Sequence, residues 1–463
     1  MCLNGGFRLK FIWKNKLTRI WFVISTSVML FALIVTLVLT QVTFLRGTLN
    51  IVFGGERAIV ADNNEPYYVS DYSNKEDVLE AAKALNIDIA EEGIILLKND
   101  DQALPISEGS KISVFGKNSV NMVYGGSGSG GSGDNIEIDL YDSLNSAGFE
   151  INQELKSFYE DTNRSGNGRD RNPEMGQIIA GFRTGETPLS MYDNQVINSY
   201  GAYNDAAIVV ISRIGGEGFD LPRTMAESFD EGASKIEGAK NADDHYLELD
   251  QNEEDLLKEV YENFSKVILL VNTPSAMELG FLNDEEHPMF HEHLKAALWV
   301  GFPGSTGAQA IGRVLNGTVN PSGRTTDTYA RDFTKDPTWF NLANNNEEDG
   351  NRYTVDGVDQ NAYFVDYEEG IYVGYRYYET RGYTDGNSWY EENVVYPFGY
   401  GLSYTSFEWE VVNASHENLD VITKNDVITI DIKVENTGDF PGKEVVQLYY
   451  TAPYYEGGIE KSH

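Results

Sequence analysis

A carboxylate framed by glycines is the clearest piece of chemistry in this chain, within Arg213-Ile214-Gly215-Gly216-Glu217-Gly218-Phe219-Asp220-Leu221-Pro222. Glycines here remove side chains that would keep a substrate off the backbone, and they permit turns that other residues resist. A carboxyl group so placed can give and take a proton, which makes Glu217 the candidate catalytic acid. The apolar run Ala206-Ala207-Ile208-Val209-Val210-Ile211 just before it reads as a buried strand. The glycine segment then falls at the rim of a sheet, where open α/β folds put their chemistry.

Three other groupings offer chemistry. The loop from Tyr124 to Asp134 alternates glycine and serine, and Gly128, Gly130 and Gly133 satisfy the dinucleotide pattern G-x-G-x-x-G. Helix-forming residues do not follow it directly, and no Gly-Lys-Ser/Thr ends it, so both nucleotide readings are weak. From the residues alone, a flexible glycine-serine linker is the plain reading. His287, His291 and His293 stand beside Glu286 and Glu292 at spacings that could include metal ligands. No further ligand pattern supports a metal, so the expectation is a charged surface segment and no metal site. Tyr372, Tyr375, Tyr377, Tyr378 and Trp389 could stack on sugar rings, but their mixed spacing suits an interface core better.

Elements must position these groups, and the chain is long enough, at 463 residues, for two or three domains. Six of its 35 basic residues and none of its 72 acidic ones lie in the first 46 positions. The rest is strongly acidic and would be repelled by phosphate backbones, which argues against nucleic-acid binding. Cys2 is the sole cysteine, so there is no disulfide framework. A basic segment (1–19) precedes an apolar stretch (20–45) of membrane-spanning length, and no small-residue cleavage site follows it. The expectation is an uncleaved single-pass anchor, with the N-terminus in the cytosol and the bulk of the chain extracellular.

After a linker (46–75), helical and strand-like segments alternate. Helices are expected over Glu76–Ala90, Leu140–Ala147, Asn252–Phe264 and Ala308–Leu315. Strands are expected over Gly93–Leu97, Ile112–Phe115, Ala206–Ile211, Lys266–Val271 and Ala296–Val300. Apolar strands alternating with helices point to a mostly parallel α/β sheet over 76–340. Residues 341–404 read as a long loop and inter-domain connection, because Asn344–Asp366 is polar and acidic. From 405 to 463 the apolar period is two, with strands expected at Val427–Val434 and Val445–Tyr450 around the turn Asn436-Thr437-Gly438. That is an all-β module with too few strands to close a sandwich, as though the chain stopped within it.

Seven landmarks in order resemble glycoside hydrolase family 3. They are Glu92–Asn99, the loop Gly125–Asp134, Gly216–Asp220, Gly301–Gly304, Asn320–Arg324, Gly370–Tyr378 and Pro397–Thr405. The resemblance implies the family's C-terminal α/β-sandwich domain, followed by a partial fibronectin type III-like module. It further implies a retaining β-glucosidase-like hydrolase, with a β-linked glucoside or oligosaccharide as substrate and no cofactor. Glu217 takes the acid/base position, and Ser129, Ser127 and Asp220 become candidate substrate-binding residues. The family often reads Glu-Gly-x-Asp-Arg here. This chain sets Leu221-Pro222 before Arg223, so the resemblance assigns that arginine no role.

Family members carry the nucleophilic Asp on a (β/α)8 barrel, and no Ser-Asp-Trp segment of that kind is present. The expected partner is therefore a barrel in the continued chain or a neighbouring one, as in a permuted enzyme, and the 463 residues alone are expected to be inactive. Retaining hydrolysis needs two carboxyl groups about 5 Å apart across the scissile bond. The alternatives are a non-catalytic, membrane-anchored carbohydrate-binding scaffold and, on the glycine loop alone, a nucleotide-binding protein.

Overall fold

Two units make up the chain, Met1–Ser73 and Asn74–His463. The computed structural model describes residues 16–41, 70–126, 128–131, 135–169, 183–217, 221–226, 234–339, 352–355, 358–363, 367, 369–416 and 423–450. In the first unit, helix α1 (Lys16–Gln41) is long and apolar enough to cross a membrane, with a mean hydropathy of 1.9 over Lys16–Thr36. Residues 42–45 of the expected span lie outside the described residues.

The second unit is built on a six-stranded sheet. Its strands are β1 (Ile95–Asn99), β2 (Lys111–Phe115), β3 (Glu150–Ile151), β4 (Ala206–Ser212), β5 (Val267–Asn272) and β6 (Leu294–Trp299). They lie in the order β1-β6-β5-β4-β2-β3, all parallel except β1, which runs antiparallel to β6 at one edge. The principal helices around the sheet are α2 (Lys75–Gly93), α3 (Leu140–Ser146), α4 (Gln153–Glu160), α5 (Gln251–Asn263) and α6 (Gln309–Leu315).

Strand side chains alternate between faces, and both faces are covered. Ala207, Val209 and Ile211 of β4 join Leu155 and Phe158 of α4 and Leu256, Leu257 and Val260 of α5 in one core. Ala206, Ile208 and Val210 join Leu140 and Leu144 of α3 and Ile311, Val314 and Leu315 of α6 in the other. All seven residues of β4 are buried, which is why the strand reads as a continuous apolar run rather than an alternating one. Burying each large aliphatic side chain contributes about 1.5–3 kcal/mol, so β4 is a stiff base for whatever follows Ser212.

The region after the sheet differs from expectation. Within the supposed long loop lie a hairpin, β8 (Arg352–Val355) and β9 (Val358–Tyr363), and helices α7 (Tyr375–Asp385) and α8 (Asn387–Asn393). The two strands pair antiparallel, with Val355 opposite Val358, and their polar composition is why the sequence reads as a loop there. β7 (Tyr329–Ala330) pairs with β10 (Val394–Tyr396), and there Ala330, Tyr378 and Val394 form a small core packed by Tyr377, Trp389 and Tyr390. Beyond it, β11 (Phe407–Ala414) and β12 (Ile430–Asn436) make one antiparallel ladder. Val445–Tyr450 forms no ladder, contrary to expectation, and Val411, Leu448 and Tyr450 are exposed. Two strands with no covering layer bury little apolar surface. Among the described residues this ribbon is all that represents the expected β module.

Candidate active site

The parallel strands end together at one rim, and polar residues close them. Ser212 ends β4 directly opposite Asn272, which ends β5. Asn272 is fully buried and holds three segments together. Its Oδ1 accepts from Val123 N at 2.7 Å and from Ser212 Oγ at 2.7 Å. Its Nδ2 donates to Val123 O at 2.8 Å and Gly301 O at 2.6 Å. A side-chain amide thus pairs with the Val123 backbone on both sides, as a strand would, and fixes where the glycine loop leaves the sheet. In the sequence, the signal for this role is a lone Asn at the end of the apolar run Val267-Ile268-Leu269-Leu270-Val271.

The two glycine segments meet above this rim. A Cβ on Gly126 would stand 2.9 Å from the Gly215 carbonyl oxygen. Gly128, at φ +66°, lies against Glu217: a Cβ there would come within 2.7 Å of Glu217 Cβ and 2.8 Å of its Oε2. Glycine is needed at 128 on both counts, for its positive φ and for the space. Glu217 is exposed, one turn beyond the buried stretch from Ala206 to Gly215. The structure therefore brings Glu217, an exposed residue, and the glycine loop together. Ser127 and Asp220 lie outside the described residues. Of Ser129 only the backbone is described, in the short turn Gly128–Gly130. Arg223 is buried and donates from Nη1 to Trp339 O at 3.4 Å.

Beneath Glu217 the site is charged and dry. Arg213 is fully buried, and every N–H of its guanidinium is bonded. Nε donates to Tyr246 O at 2.5 Å, and Nη1 to Ser212 O at 3.0 Å and Glu253 Oε1 at 2.7 Å. Nη2 donates to Glu253 Oε2 at 2.8 Å and to Glu248 O. Burial pulls the guanidinium's pKa down, but the Glu253 charge and its bonds outweigh this and leave it above its ordinary value. Glu253 also closes the capping box of α5 with Asp250: Glu253 N donates to Asp250 Oδ1 at 2.8 Å, and Asp250 N to Glu253 Oε2 at 3.0 Å. Burial, with the Glu253 charge beside it, pushes the Asp250 carboxyl up.

A third buried carboxyl, Glu186, accepts from Lys117 N at 3.0 Å and Thr187 N at 2.9 Å. Burial outweighs those bonds and raises it to about 8. These acids support the rim from below and do not reach solvent.

One His-carboxylate grouping among the described residues has metal-like spacing. Ligand atoms of His245, Glu248 and Glu278 lie within 4.8 Å of one another. Its hydrogen bonds explain it without an ion. His245 Nδ1 accepts from Leu247 N at 3.2 Å, so the ring proton sits on Nε2, 3.1 Å from Glu278 Oε1 and 3.3 Å from Glu248 Oε1. The three histidines noted in the sequence are occupied otherwise: His291 stacks on Tyr261 at 4.6 Å, His287 Nδ1 accepts from Met289 N, and His293 Nδ1 lies 2.9 Å from Tyr261 O.

This arrangement has known counterparts. Residues 94–375, more than half of the chain, match the glycosyl hydrolase family 3 C-terminal domain. The chain belongs to family 3. It is 33% identical over 382 residues to β-glucosidase A of Butyrivibrio fibrisolvens, covering 80% of this chain and 41% of that relative. Among solved structures it resembles a β-glucosidase from Paenibacillus barengoltzii (29% identity, TM-score 0.59, covering 81% of this chain and 35% of that one). It also resembles β-glucosidase 3B from Thermotoga neapolitana in complex with glucose (30% identity, TM-score 0.57, covering 79% and 43%). The chain thus spans less than half the length of these family 3 relatives. The mixed α/β fold and its parallel-rich sheet are those of the family's C-terminal domain.

Proposed function

We propose that this chain supplies the acid/base half of a retaining β-glucosidase site, with Glu217 as the proton carrier. The observation that carries the reading is the seat of Glu217: solvent-open, against Gly128, five residues past the end of a buried central strand. Relatives named as β-glucosidases support the reaction class. In the first step Glu217 protonates the departing glycosidic oxygen while an Asp carboxylate attacks the anomeric carbon. In the second, Glu217 takes a proton from water, whose oxygen displaces that Asp and releases the sugar. The Asp would come from a (β/α)8 barrel in the continued or a neighbouring polypeptide. Ser129, Ser127 and Asp220 are the proposed sugar contacts, on loops that share the rim with Glu217.

The apolar helix α1, preceded by basic residues, supports anchorage in a membrane with the catalytic unit outside. The test is hydrolysis of nitrophenyl β-glucoside by the full-length protein, abolished in Glu217→Ala and partly restored by azide. Full activity in that variant would remove Glu217 from the reaction. Saturable sugar binding without hydrolysis by the full-length protein would favour the carbohydrate-binding scaffold instead.

A further inference from the structure

The acid/base reading leaves a physical problem. Between Arg213 and Glu217 stand only Ile214, Gly215 and Gly216. Two glycines give a backbone little conformational preference of its own. Proton transfer needs the carboxyl held near one geometry, and a misplacement of about 1 Å can cost about a hundredfold in rate. Something outside the glycine pair has to fix the segment.

We infer that Arg213, locked by Glu253 and Tyr246, is the positioning residue for Glu217. This rests on the reading of Glu217 as the proton carrier. The lock grips the stretch just before it becomes free to bend. Arg213 ties the end of β4 to the 245–248 segment through the Tyr246 and Glu248 carbonyls, and to the first turn of α5 through both Glu253 oxygens. Its guanidinium lies 5.2 Å from the centre of the Tyr246 ring. Tyr246 then reaches one residue further, its hydroxyl accepting from Ile214 N at 3.0 Å. Past that point the glycines run across the loop at Gly126, and Glu217 rests on Gly128. The segment is thus held at both ends.

An ion pair this deep is a poor device for stability alone, because desolvating two charges offsets most of their attraction and an apolar pair of equal volume often does as well. A planar five-donor fork does fix directions, which an apolar contact cannot.

The test uses leaving groups. A dinitrophenyl β-glucoside departs with little need of a proton, whereas a methyl β-glucoside needs the acid. In the full-length protein, Arg213→Lys keeps the charge but loses the fork. We expect kcat/KM on the methyl glucoside to fall about ten- to a hundredfold, with the dinitrophenyl glucoside little changed. Tyr246→Phe should show the same asymmetry, more weakly. Equal loss on both substrates, or no loss, overturns the proposal. If Arg213→Lys does not fold, the asymmetry in Tyr246→Phe decides alone. Glu217→Gln is run beside them. Should it lack the asymmetry, the acid/base reading falls and the lock with it. Should it show the asymmetry while both other variants do not, the lock alone falls.

Discussion

Arg213 and Glu217 sit four residues apart in one stretch of chain and differ in every physical respect. Arg213 is fully buried, with its five donors satisfied by two carboxylate oxygens and three carbonyls. Glu217 is exposed and lies against a residue without a side chain. Burial with complete pairing fixes a charge in place, and exposure beside glycine leaves one accessible. A site for proton transfer needs both, and this stretch separates them along the sequence.

The comparison breaks most sharply on the rim side. Glu217→Gln in the full-length protein should lower turnover of a poor-leaving-group β-glucoside by about 10²–10⁴-fold. Its unfolding free energy should stay within about 0.5 kcal/mol of the parent, as for ordinary surface changes. A large stability loss would mean that Glu217 is part of the support rather than the chemistry. On the buried side the balance reverses. Glu253→Ala leaves the Arg213 charge unpaired in a dry site and should cost about 3–5 kcal/mol in urea unfolding. Loss of activity there would follow loss of fold.

A smaller effect should mark the joint between the two regions. Asn272→Ala strands the Val123 N–H and carbonyl, a cost of about 1–3 kcal/mol, and should also weaken turnover by loosening the glycine loop. Unchanged stability would mean that water replaces the amide. A pH dependence marks the buried side as well. Glu186 is raised by burial to about 8 from an ordinary value of 4.5. Below 4.5 both folded and unfolded chains hold its proton; between 4.5 and 8 only the folded chain does. Its contribution is therefore present in acid and lost as pH rises through that window. Glu186→Gln should fall in stability less steeply than the parent between pH 5 and pH 8. Parallel curves would place the Glu186 titration elsewhere.

Much of this was legible in the residues. Wholly apolar runs such as Ala206–Ile211 announce strands covered on both faces, and the glycines around Glu217 announce a turn past the strand end. Helical spacing gave α5 to within a residue of its start, and the capping-box spacing of Asp250 and Glu253, which the expectation did not use, marks that start. What it could not give is that Glu253 also reaches Arg213, forty residues away. The hairpin β8–β9 was hidden by its polarity. The alternation in Val445–Tyr450 promised a strand, yet alternation only reports which side chains would share a face. Pairing requires a neighbour, and among the described residues β12 pairs with β11 alone.

The sequence by itself determined the α/β class, the five long strands of its sheet, the family resemblance and the candidate acid. These depend on local period and residue type, which each segment carries wherever it goes. Tertiary structure alone decided that Gly128 underlies Glu217, that Asn272 pins the glycine loop, and that a buried arginine braces the strand end. Those are contacts between segments distant in the chain, set by strand order and register, and no local pattern encodes a distance in space.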